Sequence, residues 1–255
     1  MNKIKTGIEG LDKALQGGIP EGNIVLISGG AGTGKSTLCL QILVNSAKSG
    51  EKSLYISTEQ TREEIGRMAE NFGWNLNDLE KKNLFEMHYF DTLGGSANLL
   101  RDMKAIITKF KPKRIVIDSL TTLTDGLLVS DLSESKEFSV VQVAESLNPV
   151  PRSDKLVTKA LLYALIKALK KFKITTIMTT ELFQEDKQLS ADGVSEFIAD
   201  GIIVLFSLGI AGSNSEALRV AKMRYTDHLK SYLPFSITDK GVDINPDSGT
   251  DILMK

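Results

Sequence analysis

Short apolar runs alternate with longer amphipathic segments along most of the chain. The short runs are rich in β-branched residues, as buried strands are, and the longer segments repeat apolar residues at helical spacing. The predicted strands are residues 23–28, 53–57, 85–91, 114–118, 174–180 and 201–206. The predicted helices are residues 36–49, 62–72, 97–110 and 155–172. This alternation predicts an α/β fold whose mostly parallel, twisted sheet is covered by helices on both faces.

The two ends of the chain depart from this alternation. Residues 1–22 are polar and Gly-rich. Two predicted strands, residues 217–224 and 233–238, follow each other without a helix between them. Because strands joined without a crossover helix pair in antiparallel fashion, we expect an antiparallel β edge in the C-terminal part of the chain.

A long polar stretch separates the predicted strand 114–118 from the predicted helix 155–172. Connections of this kind are usually short, so we interpret residues from about 128 to 154 as an insert in a single domain that spans residues 1–255. Long loops beside a binding site often act as lids or partner surfaces. A loop without such a role is the alternative.

Composition narrows the class of protein. The chain has 255 residues, of which 42% are hydrophobic, and its net charge is -1. No global positive field therefore attracts nucleic acid or an anionic membrane surface. No apolar run approaches the roughly 18 residues that span a bilayer, and the first ten residues lack the apolar core of a signal peptide. The single cysteine, Cys39, excludes an intramolecular disulfide, and we expect a cytoplasmic protein.

A glycine-rich loop lies between the first predicted strand and the first predicted helix. Residues 29–36 read GGAGTGKS and match the Walker A pattern G-x-x-x-x-G-K-[ST]. We expect Lys35 to reach the β- and γ-phosphates of a nucleotide, Ser36 to ligate Mg²⁺, and Thr37 to lie near the α-phosphate. The loop residues whose backbone is predicted to surround the phosphates are Gly30, Ala31, Gly32, Thr33 and Gly34.

Two carboxylates follow predicted strands that neighbour this loop. Asp118 ends the apolar run RIVID and is the candidate metal residue, with a turn or helix-capping aspartate as the alternative. Glu59 follows the strand 53–57, so in a parallel sheet it should face the γ-phosphate and act as a base for the attacking water. Gln60, the next residue, is neutral and can orient a water. A solvated or capping role is the alternative for Glu59.

Lys222 and Arg224 lie two positions apart on a predicted strand, so their side chains should project from the same face. Charge that develops on a γ-phosphate must be neutralised, and cations of this kind can act as finger residues, in cis or from a neighbouring subunit. Spacing alone leaves a solvated basic strand face as an equal alternative.

Taken together, these motifs resemble the KaiC-like branch of the RecA-type P-loop ATPases over nearly the whole chain. The matching segments read TGIEGLDKALQGGIPEGNIVLISGGAGTGKST, YISTEQ, NFGW, RIVIDSLT, TTIMTTE, VSEFIADGIIVL, KMRYTDH and LPFSITDKGVDI. The resemblance implies a RecA-like fold, binding of ATP with Mg²⁺, and ATP hydrolysis. It also implies a homo-oligomeric ring, usually a hexamer, with ATP between subunits and an unidentified protein partner.

The resemblance also implies individual roles. Glu59 matches the first of two catalytic glutamates and Gln60 replaces the second, so we expect slow hydrolysis. Asn71 matches a base-contacting position. The segment Lys222, Met223 and Arg224 matches one that crosses a subunit interface to a neighbour's ATP. Four further residues match positions near that neighbour's base and ribose: Thr226, His228, Thr238 and Asp239.

Self-phosphorylation is not expected. The clock protein that gives the family its name has two such domains and phosphorylates adjacent Ser and Thr residues in the second. At the aligned positions this chain has Glu196 and Phe197. The chain therefore resembles the first, hydrolytic domain.

Two alternatives to a signalling ATPase ring stay open. One is a nucleotide-binding scaffold with little turnover, which Gln60 would favour. The other is a recombinase-like DNA-binding ATPase. Relatives of that kind bind DNA through loops equivalent to residues 121–154 and 182–195, which are acidic and poor in Lys and Arg here. Because phosphate contacts dominate DNA affinity, we do not expect nucleic acid as a partner.

Overall fold

The computed structural model of the protein describes residues 1–92, 99–125, 154–182, 188–210 and 213–246. The predicted insert therefore lies outside the described residues up to Asp154, where a helix begins. Most of the first loop considered for DNA binding, and residues 183–187 of the second, lie outside them as well. Within the described ranges, no helix is both long enough and apolar enough to cross a bilayer.

The elements alternate along the chain much as the pattern predicts. The strands are β1 Lys3–Ile4, β2 Ile19–Pro20, β3 Ile24–Gly29, β4 Ser53–Ser57, β5 Phe85–Tyr89, β6 Arg114–Asp118, β7 Thr175–Glu181, β8 Gly201–Ile210, β9 Ser213–Met223, β10 Leu233–Thr238 and β11 Gly241–Ile244. The helices are α1 Glu9–Ala14, α2 Lys35–Lys48, α3 Arg62–Asn71, α4 Leu76–Lys81, α5 Leu99–Phe110, α6 Asp154–Lys171 and α7 Ser195–Ile198. Residues 120–125 are also helical.

One nine-stranded sheet organises these elements, in the order β11-β10-β9-β8-β3-β7-β6-β4-β5. The strands from β8 to β5 run parallel, and β9, β10 and β11 add an antiparallel edge. The predicted α/β fold with its antiparallel C-terminal edge is confirmed. A two-stranded sheet of β1 and β2 stands beside it.

The elements that the pattern failed to predict are the short ones: β1, β2, α1, α4, α7 and β11. Each has too few residues to show a hydrophobic period. In α1 the helix is held by tertiary burial, because Leu11 and Ala14 are fully buried although the surrounding segment is polar. The polar, Gly-rich pattern of residues 1–22 therefore gave no indication of α1.

Two hydrophobic cores lie on the two faces of the sheet, and β3 divides its side chains between them. Val25 and Ile27 belong to the core beneath α2, whereas Ile24 and Leu26 belong to the core beneath α5 and α6. A strand that is apolar on both faces is what a central parallel strand requires. This packing fixes the carboxyl end of β3, from which the glycine-rich loop leaves.

Candidate nucleotide-binding site

The glycine-rich loop forms a tight turn between β3 and α2. The last residue of β3, Gly29, has no room for a side chain, because a Cβ there would lie 2.6 Å from Thr33 Oγ1 and 2.9 Å from the Leu205 carbonyl oxygen. Gly34 has a φ of 86° and immediately precedes α2. The loop therefore brings its backbone N–H groups and the N-terminus of a 14-residue helix to one place, which is a favourable arrangement for a phosphate.

Lys35 lies over the start of this loop. Its ammonium group donates hydrogen bonds to the carbonyl oxygens of Gly29 and Gly30, both at 2.9 Å. Thr33 closes the turn by donating from Oγ1 to the Gly30 carbonyl oxygen at 2.9 Å. The positive charge is thus held at the mouth of the loop, where the β- and γ-phosphates of a nucleotide would enter.

Asp118 lies at the carboxyl end of β6 and is almost fully buried, with 4% of its surface exposed. Each carboxylate oxygen accepts a hydrogen bond from a hydroxyl group: Oδ2 from the Tyr55 phenol at 2.5 Å, and Oδ1 from Thr179. Burial first, and then the charge of Asp118, raises the pKa of Tyr55 well above its usual value, so this phenol stays a donor. Ser36 lies near the same phenol.

Ser36 and Asp118 are the two residues from which the sequence predicts a magnesium site. The structure brings both to the same phenol, from α2 and from β6. Hydroxyl and carboxylate oxygens are the hard ligands that Mg²⁺ prefers, so the residues present fit this ion.

Glu59 follows β4 and lies next to the end of β6. Its Oε1 accepts hydrogen bonds from Ser119 and, at 2.7 Å, from Thr122 Oγ1. The side chain is exposed, and the two hydroxyl groups restrain its position beside Asp118. The structure therefore places Glu59, Asp118 and the glycine-rich loop at the carboxyl ends of three strands of the same parallel sheet.

Gln60 is fixed through its backbone rather than through its amide group. Its N–H donates to Ser57 Oγ at 3.0 Å, and its carbonyl oxygen accepts from that hydroxyl at 2.6 Å. Gln60 Oε1 is one of the few buried side-chain atoms in the described part of the chain without a hydrogen-bond partner. Because this oxygen is shielded from solvent, it contacts no water in this arrangement, and the role of Gln60 in orienting a water stays a prediction.

The β10–β11 hairpin packs against α2 and against the loop that precedes it. Gln41 of α2 donates from Nε2 to the Val242 carbonyl oxygen at 3.1 Å, and its Oε1 accepts from the Val242 N–H at 2.6 Å. Ile237 lies so near Gly34 that a Cβ there would be 2.8 Å from its Cδ1. Thr238 and Asp239, at the turn of this hairpin, therefore lie beside the glycine-rich loop of their own chain.

Asn71 comes to the same region from α3. One turn earlier on that helix, Met68 accepts a hydrogen bond from Thr37 Oγ1 at 3.7 Å. Asn71 is exposed and is the last residue of α3. Its position on the Met68 side of the helix places it near the end of the loop where Thr37 lies.

Lys222, Met223 and Arg224 lie at the other end of the strands, away from the end that carries the glycine-rich loop. The register pairs Gly29 with Leu205 and Leu205 with Leu218, so Leu218 marks the level of the loop on β9. Lys222 lies four residues further along β9, about 13 Å away at about 3.3 Å per residue. Side chains at this edge cannot reach the glycine-rich loop of the same chain.

The register also separates these residues from the hairpin turn. Phe235 pairs with Glu216, so Thr238 and Lys222 lie nine strand positions apart, about 30 Å. The resemblance groups Thr238 and Asp239 with Lys222 as contacts to one neighbour's nucleotide. The structure instead places the hairpin turn beside its own loop, because β10 runs parallel to β3 and ends at the same edge.

The two basic side chains point to one side and contact residues 196–200. Lys222 Nζ donates to the carbonyl oxygens of Glu196 and Ala199 at 3.0 and 2.7 Å. Arg224 Nη1 lies 3.2 Å from Asp200 Oδ1. Burial, and then the charge of Arg224, lowers the pKa of Lys222. The expectation that both side chains share a face agrees with these contacts.

The other residues predicted to contact a neighbouring subunit here are Met223, Thr226 and His228. The Met223 side chain is buried against Gly201 and Asn23, so only its backbone can face a neighbour. Thr226 and His228 follow β9 at the Arg224 edge, and each is bonded locally, Thr226 to the Asp227 carbonyl oxygen at 2.9 Å and His228 Nδ1 to that of Leu229 at 3.0 Å.

The fold and the glycine-rich loop define a P-loop nucleotide-binding protein with a RecA-like sheet. A model of the KaiC ATPase family matches residues 4–131 and 136–249, so the chain belongs to this family and is an ATP-binding ATPase domain. The resemblance drawn from its motifs is confirmed.

Individual relatives agree with this assignment. A UPF0273 protein from Thermotoga maritima is 31% identical over 265 residues, which cover 98% of each chain. The circadian clock oscillator protein KaiC of Synechococcus elongatus is 31% identical, but the chain spans only 44% of its length. The crystal structure of the KaiC-like protein PH0186 from Pyrococcus horikoshii OT3 has a TM-score of 0.78 and 28% identity, and covers 96% of this chain and 99% of its own.

Several residues of the site gave no signal in the sequence. Tyr55 and Thr179 occupy ordinary positions in apolar strands, Ser119 and Thr122 follow Asp118, and Asp200 precedes β8. Their hydrogen bonds join strands that are far apart in the chain. Two predicted parallel strands, 53–57 and 174–180, end in the polar residues Ser57 and Thr180. Because parallel strands end at a common edge of the sheet, only these endings indicate a polar cluster there.

Proposed function

We propose that the protein is a Mg²⁺-dependent ATPase that works as a homo-oligomeric ring, with a hexamer as the expected size. Its nucleotide state would regulate a protein partner that is still unidentified. The observation that supports the ring is the separation of the two halves of the site. The glycine-rich loop, Asp118 and Glu59 lie at one sheet edge, and Arg224 lies at the other. A second copy must supply the missing half.

ATP would bind to the glycine-rich loop of one chain, with Lys35 at the β- and γ-phosphates. Asn71, Thr238 and Asp239 of the same chain would border the base and ribose. This is supported by the contact of α3 with Thr37 and by the closeness of Ile237 in the β10–β11 hairpin to Gly34. This proposal moves the hairpin turn from the neighbour's nucleotide to the chain's own.

Ser36 and Asp118 would hold Mg²⁺, which supplies positive charge to the β- and γ-phosphates when bound. Tyr55 and Thr179 keep the Asp118 carboxylate in one orientation. Because outer hydrogen-bond partners of this kind set the geometry of a metal ligand, we include both in the proposed site.

Glu59 is proposed as the base that accepts a proton from the attacking water. Ser119 and Thr122 restrain one of its oxygens, and the exposed carboxylate faces solvent from which a water can arrive. Gln60 is neutral, so it would at most orient that water and cannot take a proton from it. Slow turnover follows, because only one of two neighbouring positions carries a base.

Arg224 of one subunit would neutralise charge on the γ-phosphate bound by the next subunit. Lys222, whose ammonium is bonded to three carbonyl oxygens of residues 196–199, would add positive charge beside it. Such a charge contact forms fully only as the phosphate bond breaks, so it accelerates hydrolysis more than it strengthens binding. Met223 would contribute its backbone, and Thr226 and His228 lie at the same edge.

Mixed rings test this arrangement. Glu59→Gln subunits lack the base but keep Arg224, and Arg224→Ala subunits lack the finger but keep Glu59. We expect each variant alone to have little turnover and a mixture to recover part of it, because one intact composite site can form between unlike subunits. Mixing has to be verified by mass analysis of the rings. Verified mixed rings without recovery would refute action in trans.

A nucleotide-binding scaffold is the second candidate, and Gln60 is the observation that favours it. If the base at Glu59 is too poorly assisted, the ring would bind ATP and hold it. Phosphate release that stays at background, together with ATP-dependent capture of a partner, would select this alternative. The partner and the cytoplasmic location stay predictions in either case.

A further inference from the structure

Asp200 is a buried acid at the edge of the sheet that carries Arg224. Only 3% of its surface is exposed. Its Oδ1 accepts a hydrogen bond from Arg224 Nη1 at 3.2 Å and one from Lys170 Nζ at 2.9 Å. Its Oδ2 accepts the backbone N–H of Ile24 at 3.1 Å. A carboxylate removed from water is thus fully engaged with two cations and one strand.

The backbone of Asp200 makes the same two connections. Its N–H donates to the Ile24 carbonyl oxygen at 2.8 Å, and its carbonyl oxygen accepts the N–H of Arg224 at 2.8 Å. Arg224 is therefore held by Asp200 at both its backbone and its guanidinium group. Ile24 is the first residue of β3, the central strand that ends at the glycine-rich loop, so Asp200 fastens Arg224 to the middle of the sheet.

We propose that Asp200 is a positioning residue that holds the Arg224 guanidinium in the orientation needed to meet the γ-phosphate of the neighbouring subunit. The proposal rests on the proposed action of Arg224 in trans. Arginine is a long side chain that would otherwise sample many rotamers, and a finger that is already oriented loses less freedom when it binds.

The N–H donors of Arg224 and Lys222 are used differently, which supports Arg224 as the residue that contacts the phosphate. A guanidinium has five N–H donors, and in Arg224 one is directed to Asp200 and one to the Phe197 carbonyl oxygen at 3.4 Å. Donors therefore remain for a phosphate, and 43% of the side chain is exposed. Lys222 instead directs its ammonium to three carbonyl oxygens of residues 196–199, which stabilises the segment that carries Asp200.

Asp200→Asn is the variant that tests the proposal. Asn has nearly the same shape and keeps an acceptor for the Ile24 N–H, but it loses the charge that orients the guanidinium. Lys170 and Arg224 are each about two-fifths exposed, so water can solvate them when the carboxylate is gone. We expect ATP binding within about twofold of the unmodified protein and turnover lowered about 10- to 100-fold, since small misplacements of a reacting group have effects of that size.

Mixed rings separate positioning in trans from a general structural role. Asp200→Asn subunits keep Glu59 and their own glycine-rich loop, so mixing them with Glu59→Gln subunits should recover activity, as mixing with Arg224→Ala does. If Asp200 matters because it supports β3 of its own chain, its subunits have a damaged loop of their own, and the mixture stays inactive. That outcome, or unchanged turnover of Asp200→Asn alone, overturns the proposal.

Two further measurements complete the test. The double variant Asp200→Asn, Arg224→Ala should be no slower than Arg224→Ala, because a positioning residue has nothing left to position. Lys170→Met is the matched control, since it removes the other cation bound to Asp200, and its turnover should stay within about twofold. A tenfold loss in Lys170→Met would instead assign the effect to the ion cluster as a whole and overturn the specific role of Asp200 toward Arg224.

Two controls show whether a negative result comes from an unfolded variant, from an error in the proposed action in trans, or from an error in the role of Asp200. If thermal melting shows that Asp200→Asn is unfolded, Asp200→Glu replaces it in every arm, because the longer carboxylate keeps the charge and displaces the guanidinium. Rings of the Asp200→Glu variant that match the unmodified turnover would overturn the proposal. If the mixture of Glu59→Gln and Arg224→Ala does not recover, the action in trans is wrong. If that mixture recovers and the mixture containing the Asp200 variant does not, only the role of Asp200 is wrong.

Discussion

The phenol of Tyr55 offers a sharp test of the proposed magnesium site. Tyr55→Phe removes one oxygen atom from a fully buried side chain and leaves the rest of its packing in place. The atom that is lost donates to Asp118 Oδ2 at 2.5 Å and has Ser36 as its other polar neighbour. The change therefore reaches both predicted metal residues without touching either of them.

The expected effect can be estimated from the kind of hydrogen bond. A hydrogen bond to a charged group contributes about 1.5–3 kcal/mol, and Asp118 would lose one of its two hydroxyl partners. At about 1.4 kcal/mol for each factor of ten, this corresponds to roughly 10- to 100-fold. Loss of an outer partner of a metal ligand typically weakens metal affinity by the same factor. We expect the Mg²⁺ concentration at half-maximal effect to rise by that amount.

The assay follows a fluorescent ATP analogue at fixed concentration while Mg²⁺ is titrated, with binding in EDTA as the metal-free reference. Tyr55→Phe should shift the Mg²⁺ midpoint and leave the metal-free affinity within about twofold. Tyr89→Phe is the matched control, because Tyr89 is a strand tyrosine with 43% of its surface exposed. A midpoint shift below twofold in a folded Tyr55→Phe protein would refute the argument that Tyr55 orients the metal residues.

Three further predictions concern the nucleotide site. Lys35→Ala should lower ATP affinity at least about 100-fold in a direct binding assay, because it removes the charge held at the loop; retained affinity would show that ATP binds elsewhere. Glu59→Gln should bind ATP normally and lose about 100-fold or more in phosphate release, and an unchanged rate would mean that another group is the base. Gln60→Glu adds a second carboxylate and should raise turnover several-fold with unchanged ATP affinity; equal or lower turnover would show that Gln60 is not what limits the rate.

The sequence by itself determined the fold class and the residues of the glycine-rich loop. Strands such as 53–57 and 114–118 were predicted with their observed ends, because a central parallel strand is apolar on both faces and stands out from its surroundings. The loop was predictable for a local reason: glycine, lysine and serine at fixed spacing after a strand are enough to specify a phosphate site. Asp118 and Glu59 followed from the rule that parallel strands end at a common edge.

Only the tertiary structure decided how the other residues are divided between the two ends of the strands. Lys222 and Thr238 are 16 positions apart in the sequence, and both were predicted near one nucleotide, but antiparallel pairing of β9 and β10 sends them to opposite edges of the sheet. Tyr55 and Asp200 looked like an ordinary strand residue and an ordinary loop acid. Their partners, Asp118 and Arg224, are brought to them by strand pairing. Composition and spacing record which side chains a chain has, whereas strand direction and register decide which of them meet.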